Sequence, residues 1–212
     1  MKMLDQTAEA IRAQMEQTNS ARDVAYQRSR KLIAVCAKSI RAIHREEWDT
    51  AVSLIEDATN AGKEMVQDVA DYPNLYYAGY TQDALKEMVE AHLTYALVRD
   101  LPLPTPDALG VENSTWLNGL AEAATELRRR ILDIIRHGYN NEAERLLDHM
   151  DQIYSTLVTI DFSDAITGGL RRRTDTVRAV LERTRGDVTT SIRQTELEKA
   201  LKKLESKLGT NQ

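Results

Sequence analysis

Four glutamates in this 212-residue chain have the types and spacing to do chemistry: Glu87 with Glu90, and Glu122 with Glu126. Three or four residues apart on a helix, such side chains sit side by side, with Cβ atoms roughly 5–6 Å apart. Like charges so placed destabilise an isolated helix by a few tenths of a kcal/mol, so something must offset them. A hard divalent cation, Mg²⁺ or Mn²⁺, prefers carboxylate oxygen and would do so. Held there, it would polarise a phosphate and lower the pKa of a bound water, giving a nucleophile at neutral pH. Plain solvation on a wet helix face offsets the repulsion equally well, and spacing alone leaves both readings open. A Glu-x-x-His partner is missing, which argues against a redox di-iron bundle.

The elements that must position these residues are helices. Gly 9 and Pro 4 are scarce, charged residues reach 29%, and Ala, Glu, Leu and Arg are abundant. Apolar residues, at 42%, suffice for a core in a chain of this length. Helical pattern runs from Met1 to about Glu47, with a break expected near Asn19-Ser20, where Ser20 would cap a second helical segment. Asp49 to Ala70 repeats apolar residues at helical spacing. Tyr72 to Tyr80 is irregular, and Thr81 is the expected N-cap of a helix to about Val98. The prolines of Leu101–Asp107 give a stiff, non-helical connection. Further helices are expected from Ser114 or Thr115 to Gly138, from Asn141 to about Ile160, and from Leu170 to Leu208 with a bend at Gly186. The expected architecture is all-α, a single domain over residues 1–212 built as a bundle of about six to seven antiparallel helices.

On the helix carrying Glu122 and Glu126, Trp116, Leu120, Ala123, Ala124, Leu127, Ile131 and Ile134 share one face at ~100° per residue. The two glutamates project from the other face, and Gly119 leaves space beside them. Leu85, Met88, Val89, His92 and Ala96 form the corresponding stripe on the preceding helix, with Glu87 and Glu90 pointing away. Both pairs are thus expected to avoid the core, and the functional reading requires two polar faces to converge. His92, on the apolar stripe, reads as a hydrogen-bonded core or interface residue rather than a ligand.

Net charge is −5, so attraction to nucleic acid must come from a local concentration of cations. One exists: Lys31, Lys38, Arg41 and Arg45 share a side of the first helix, with Arg30 at its edge and His44 beside Arg45. Cations so arranged could track a phosphate backbone or simply face solvent. Arg129 lies in a second cluster, Arg128–Arg130, just after the second glutamate pair, and Arg171–Arg173 forms a third. Tyr76, Tyr77 and Tyr80 are candidates either for base stacking or for ordinary packing. A lone Cys36 excludes an intramolecular disulfide and suits a reducing compartment. No apolar run approaches the ~20 residues of a membrane span. A soluble, cytoplasmic protein without a membrane partner is expected.

Three segments together resemble the translin and translin-associated factor X (TRAX) family. Ser29-Arg-Lys with Lys38-Ser-Ile-Arg-Ala-Ile-His-Arg45 resembles the family's N-terminal basic helix. Ala78 to Ala91, ending Glu87-Met-Val-Glu-Ala91, resembles its glutamate helix, and Trp116-Leu-Asn-Gly-Leu-Ala-Glu-Ala-Ala-Thr-Glu-Leu127 its second acidic helix. The stretch from Leu170-Arg-Arg-Arg-Thr-Asp175 is similar to the terminal helix, so the resemblance spans nearly the whole chain.

The resemblance implies a translin-like helical domain that assembles into a closed barrel, typically an octamer, with acidic sites facing its interior. TRAX-type subunits use acidic residues to bind a divalent metal and cleave single-stranded RNA, and the matching positions here are Glu87, Glu90, Glu122 and Glu126. Where TRAX has Asp, this chain has the longer Glu122. The expectation is a Mg²⁺- or Mn²⁺-dependent endoribonuclease in a homo-oligomer, acting on single-stranded RNA, with single-stranded DNA as a candidate further ligand. Arg30, Lys31, Lys38, Arg41, His44, Arg45 and Arg129 would contact the nucleic acid. The alternatives are a non-catalytic translin-type binding protein and an all-α nucleoside-triphosphate pyrophosphatase. The latter's second motif ends in Glu-x-x-Asp rather than the Glu-x-x-x-Glu found here.

Overall fold

A computed structural model describes residues 1–138 and 141–209. Among them there is no strand; the chain is helical throughout, with short connections. Six long helices are α1 (Lys2–His44), α2 (Trp48–Asp68), α4 (Gly79–Arg99), α6 (Asn113–Arg136), α7 (Asn141–Leu157) and α9 (Leu170–Gly209). Three single-turn helices, α3 (Pro73–Tyr76), α5 (Pro106–Leu109) and α8 (Asp164–Thr167), lie between them. No described helix is long and apolar enough to cross a membrane. Packing divides the chain into two compact units: Met1–Tyr95 with Pro104–Gly119, and Ala96–Leu103 with the chain from Leu120 onward.

In the first unit α1 and α2 form a hairpin. Ala25, Ser29, Leu32, Cys36, Ile40 and Ile43 are buried along α1, a stripe advancing by three or four residues that packs one side of the helix. The hairpin turn is a Schellman closure: Glu47 N–H donates to Ala42 O (3.0 Å) and Glu46 N–H to Ile43 O (3.1 Å). Glu46 takes the left-handed position (φ 59°) usually given to glycine. The expected break at Asn19-Ser20 does not occur, because the Ser20 hydroxyl donates back to Glu16 O (2.9 Å) inside a continuing helix instead of capping a new one.

From Thr81 to Thr94 every residue of α4 except Asp83 is buried or partly buried. On one side Gly62 of α2 lets Met88 approach so closely that a Cβ there would lie 2.6 Å from its sulfur. On another, Gly119 near the start of α6 accepts Val89 in the same way. Thr81, expected as an N-cap, lies within the first turn of α4, and its buried hydroxyl donates to Leu75 O (2.8 Å), fastening α3 to α4. The proline-rich connection is not wholly extended. Pro106 sits at the start of α5, where its missing N–H costs nothing, and the Thr105 hydroxyl caps the turn by accepting from Ala108 N–H (3.2 Å).

In the second unit α7 packs on α9. Ala143, Leu146, Met150, Ile153 and Leu157 of α7 are buried, as are Leu170, Val177, Leu181 and Val188 of α9. Arg145 of α7 donates from Nη1 to Leu97 O and from Nη2 to Val98 O (both 2.9 Å), supplying donors to carbonyls at the C-terminal end of α4. Gly168 and Gly169 turn the chain into α9 with φ of 61° and 83°. Helix α9 continues through Gly186, because a single glycine weakens a helix by only about 1 kcal/mol.

Candidate metal and nucleic-acid site

The first glutamate pair belongs to the enclosed part of α4. Glu87 is partly buried and Glu90 is only 7% exposed, so this pair does not lie on a solvated face. The expectation that it avoids the core is corrected here, and the reason is the density of packing around α4. Ala84, Leu85, Lys86, Met88, Val89 and Ala91 are all buried, leaving Glu90 no open side. A carboxylate kept from water requires positive charge around it. Lys86, itself buried, brings one such charge, with Nζ 3.1 Å from Glu87 Oε1.

Cys36 of α1 borders this pair. Burial pushes its thiol pKa up to about 12, and the Glu87 and Glu90 carboxylates add to the effect. The sulfur is therefore a protonated, weak donor at neutral pH, and the hard carboxylate oxygens are the ligating atoms available around it.

The second pair follows a close approach of α4 to α6 at Gly119. At Gly119 an added Cβ would lie 2.6 Å from Val89 Cγ1 and 3.1 Å from Lys86 O. The space beside Gly119 is thus filled by Val89. Glu122 and Glu126 come one and two turns later on α6, within about 60° of Gly119 around the helix axis. Both are partly buried. In the second unit Glu122 Oε1 accepts from Arg173 Nε at 3.0 Å. Two side chains that bear on the acidic residues, Lys86 and Arg173, were not singled out as site residues by the sequence. Arg173 was visible only as part of a triple-arginine run, and Lys86 only as a lysine between Leu85 and Glu87.

The basic residues divide by burial. Arg30, Lys31, Lys38 and Arg41 are exposed on α1 and Arg45 at its C-cap, and Arg129 is exposed on α6. His44 is buried at 8% exposure, so its side chain belongs to the packing at the end of α1. Arg128 and Arg130 are engaged elsewhere: Arg128 Nη1 lies 2.8 Å from Asp187 and Arg130 Nη2 2.9 Å from Glu142. At 100° per residue the five exposed cations of α1 and its C-cap centre on the side opposite Cys36. Within the first unit, α1 therefore stands between the basic stripe and the Glu87–Glu90 pair.

The tyrosines pack. Tyr26 and Tyr80 meet edge to face (5.7 Å between centroids), as do Tyr76 and Tyr77 (4.8 Å). The Tyr76 and Tyr77 hydroxyls donate to Glu112 Oε1 at 3.3 and 3.4 Å. Burial, then the neighbouring Glu112 charge, raises the Tyr76 pKa above its usual value. His92 behaves as its stripe position implies. The Thr59 hydroxyl donates to Ile55 O (2.8 Å), so its oxygen accepts from His92 Nε2–H (2.8 Å), which sets the neutral tautomer. Burial lowers the His92 pKa to about 4.

No protein-family profile matches the chain. An uncharacterized protein of Methanocaldococcus jannaschii is 29% identical over 189 residues, covering 88% of this chain and 83% of its own length. AfC3PO, solved in complex with duplex RNA, superposes with a TM-score of 0.81 at 31% identity, covering 87% of this chain and 96% of that one. AfC3PO solved in a second crystal structure gives a TM-score of 0.81 at 29% identity. The apo form of NeC3PO shares the fold, with a TM-score of 0.77 at 21% identity. These neighbours are complexes of translin/TRAX type, and the basic helix, glutamate helix and second acidic helix follow one another in this chain in the order on which the resemblance rests. The chain belongs to the translin family.

Proposed function

We propose that this protein is a TRAX-like, metal-dependent endoribonuclease that cleaves single-stranded RNA within a homo-oligomeric barrel, an octamer located in the cytoplasm. Glu87, Glu90, Glu122 and Glu126 hold one Mg²⁺ or Mn²⁺. The observation that supports this reading most is the approach of α4 to α6 at Gly119, with the buried Glu90 directly following Val89 and Glu122 one turn beyond the glycine. The donors fit a hard cation: carboxylate oxygens, with the neighbouring thiol kept protonated. When bound, such an ion supplies charge against the scissile phosphate and a water acidic enough to attack phosphorus in line. Lys31, Lys38, Arg41, Arg45 and Arg30 hold the backbone of the nucleic acid, with Arg129 on α6. Because α1 separates that stripe from Glu87 and Glu90 within its unit, a strand held on the stripe reaches the acidic site of another copy, or bends around α1.

A labelled single-stranded RNA incubated with and without Mg²⁺, beside a chelated control, tests the reading; duplex RNA belongs in the same experiment because AfC3PO was solved with it. Cleavage is expected only with the divalent ion. Glu90→Gln should abolish cutting while leaving particle size and RNA binding unchanged. Cleavage by this variant at the wild-type rate would remove the site assignment.

A second reading, non-catalytic binding of single-stranded RNA or DNA, is favoured by Lys86 on Glu87 and Arg173 on Glu122, which already bring positive charge to both pairs. Metal-independent binding with no cleavage selects it.

A further inference from the structure

We infer that the N-terminal part of α1 is a docking surface for a second copy of this chain, which pairs antiparallel through the same segment across a two-fold axis. The inference rests on the homo-oligomer reading above and names a surface through which copies join; it is independent of the metal site.

Its basis lies along one helix. Ala25, Ser29, Leu32, Cys36, Ser39 and Ile43 of α1, spaced by alternate steps of three and four residues, are buried. Carried back toward the N-terminus, the same steps reach Met15, Ile11, Ala8 and Leu4. These four lie within about 60° of one another at 100° per residue. Yet every residue from Met1 to Gln17 is exposed, and Leu4, Ile11 and Met15 keep 65%, 49% and 67% of their surface open. The stripe that is buried further along α1 therefore continues here without cover. Contiguous exposed apolar surface of this kind marks an interaction site. Propensity alone leaves so short a helical segment marginal, and packing an apolar face is what stabilises it.

The side chains select the occupant. A stripe repeating every 3.5 residues is a coiled-coil seam, with Ala8 and Met15 at a and Leu4 and Ile11 at d. In an antiparallel pair Leu4 meets Met15 of the second copy and Ala8 meets its Ile11, and two-fold symmetry repeats both contacts. Asp5 and Arg12, exposed at the flanking e positions, then oppose each other twice. Arg12 pairs with Glu9 on its own helix, and a guanidinium with five N–H donors can serve a second carboxylate as well. Parallel pairing matches no opposite charges: it sets Thr7 against Arg12 and Gln14 against Asn19. Sliding the antiparallel pair by one heptad brings Arg12 against Arg12 and Leu4 against Arg22. Three acids, Asp5, Glu9 and Glu16, against Lys2 and Arg12 suit neither RNA nor an anionic membrane. A segment this short falls below the ~20–30 residues a side of a standard interface, so the pairing reinforces other contacts of the assembly.

Disulfide mapping in the intact protein tests this. Leu4→Cys and Met15→Cys chains, co-expressed and told apart by a mass tag, should form a mixed disulfide, while neither variant alone should crosslink to itself. Wild type, with Cys36 buried, is the blank. Homodisulfides from each single variant would mean parallel pairing. A Met15→Cys bond to Leu201→Cys of a second copy would give the surface to the exposed leucines of α9. Either result, or no crosslink at all, overturns the inference. Dilution followed by light scattering supplies a second readout. Asp5→Arg should dissociate at a concentration roughly threefold or more higher than wild type, and Asp5→Arg/Arg12→Asp should recover part of the loss. Asp5 and Arg12 are both exposed, so neither change disturbs the core. Dissociation of Asp5→Arg at the wild-type concentration also overturns the inference. Failure of the underlying reading looks different: wild type itself would run as a monomer.

Discussion

Replacing Gly119 with alanine probes the close approach on which the site depends. Two opposing effects are calculable. Alanine is favoured over glycine inside a helix by about 1 kcal/mol. Against this, the new Cβ would stand 2.6 Å from Val89 Cγ1, 2.7 Å from Val89 Cβ and 3.1 Å from Lys86 O. Val89 is fully buried and β-branched, so it has essentially one rotamer in a helix and cannot swing away. Lys86 O is backbone, and moving it means moving α4. Overpacking of this kind costs about 1–3 kcal/mol, so the clash cancels or outweighs the propensity gain. Gly186 on α9 is the matched control: it too is helical, and nothing lies within 4 Å of a Cβ built there. Gly186→Ala should therefore stabilise by about 1 kcal/mol, a rise of roughly 2–4 °C in Tm for a chain of this size. Gly119→Ala should instead leave Tm unchanged or lower it by several degrees, and it should depress Mg²⁺-stimulated cleavage, because Glu122 is one turn away. Thermal denaturation of both variants and of Gly119→Ala/Val89→Ala reads the result. Deleting the valine methyls makes room for the new Cβ, so the double variant should be less destabilised than the two single changes summed. If Gly119→Ala and Gly186→Ala raise Tm equally, α4 and α6 do not approach as described.

The buried His92 predicts a pH dependence. Its folded pKa of about 4 lies below the ordinary 6.5, so the unfolded chain takes up a proton that the folded one refuses. Its contribution is intact above pH 6.5 and is lost as pH falls towards 4, reaching about 3 kcal/mol. Denaturant titrations at several pH values should show His92→Gln, which can still donate to Thr59, flatter than wild type across that window; identical slopes would remove the cause. The exposed cations of α1 predict salt dependence. Lys38→Ala/Arg41→Ala should weaken single-stranded RNA binding across all sequences and reduce the log–log salt slope by about 1–1.5, since each lost phosphate contact removes about 0.7. Anisotropy titrations that return the wild-type slope would place the nucleic acid elsewhere. His44→Ala should act through stability, as that side chain is buried.

Helix content, the extents of the long helices and the grouping of acidic and basic residues were all legible from the chain itself, because they depend on local periodicity. An apolar stripe and a run of cations on one helical side need no knowledge of distant residues. The break imagined at Ser20 failed for a local reason as well: a serine hydroxyl can bond back to the carbonyl four residues earlier as readily as it can cap. What tertiary structure decided was environment. Periodicity assigns Glu90 to the polar side of its helix, yet that side is covered too, and Glu90 is only 7% exposed. The same covering turns Gly119 from empty space into the seat of Val89 and takes His44 out of the basic stripe. The pairing of Arg173 with Glu122 joins residues 51 positions apart, which no window of helical spacing can contain. Local sequence sets which side chains share a face; only the packing of other helices against that face sets whether water, a cation or a neighbouring arginine meets the charge.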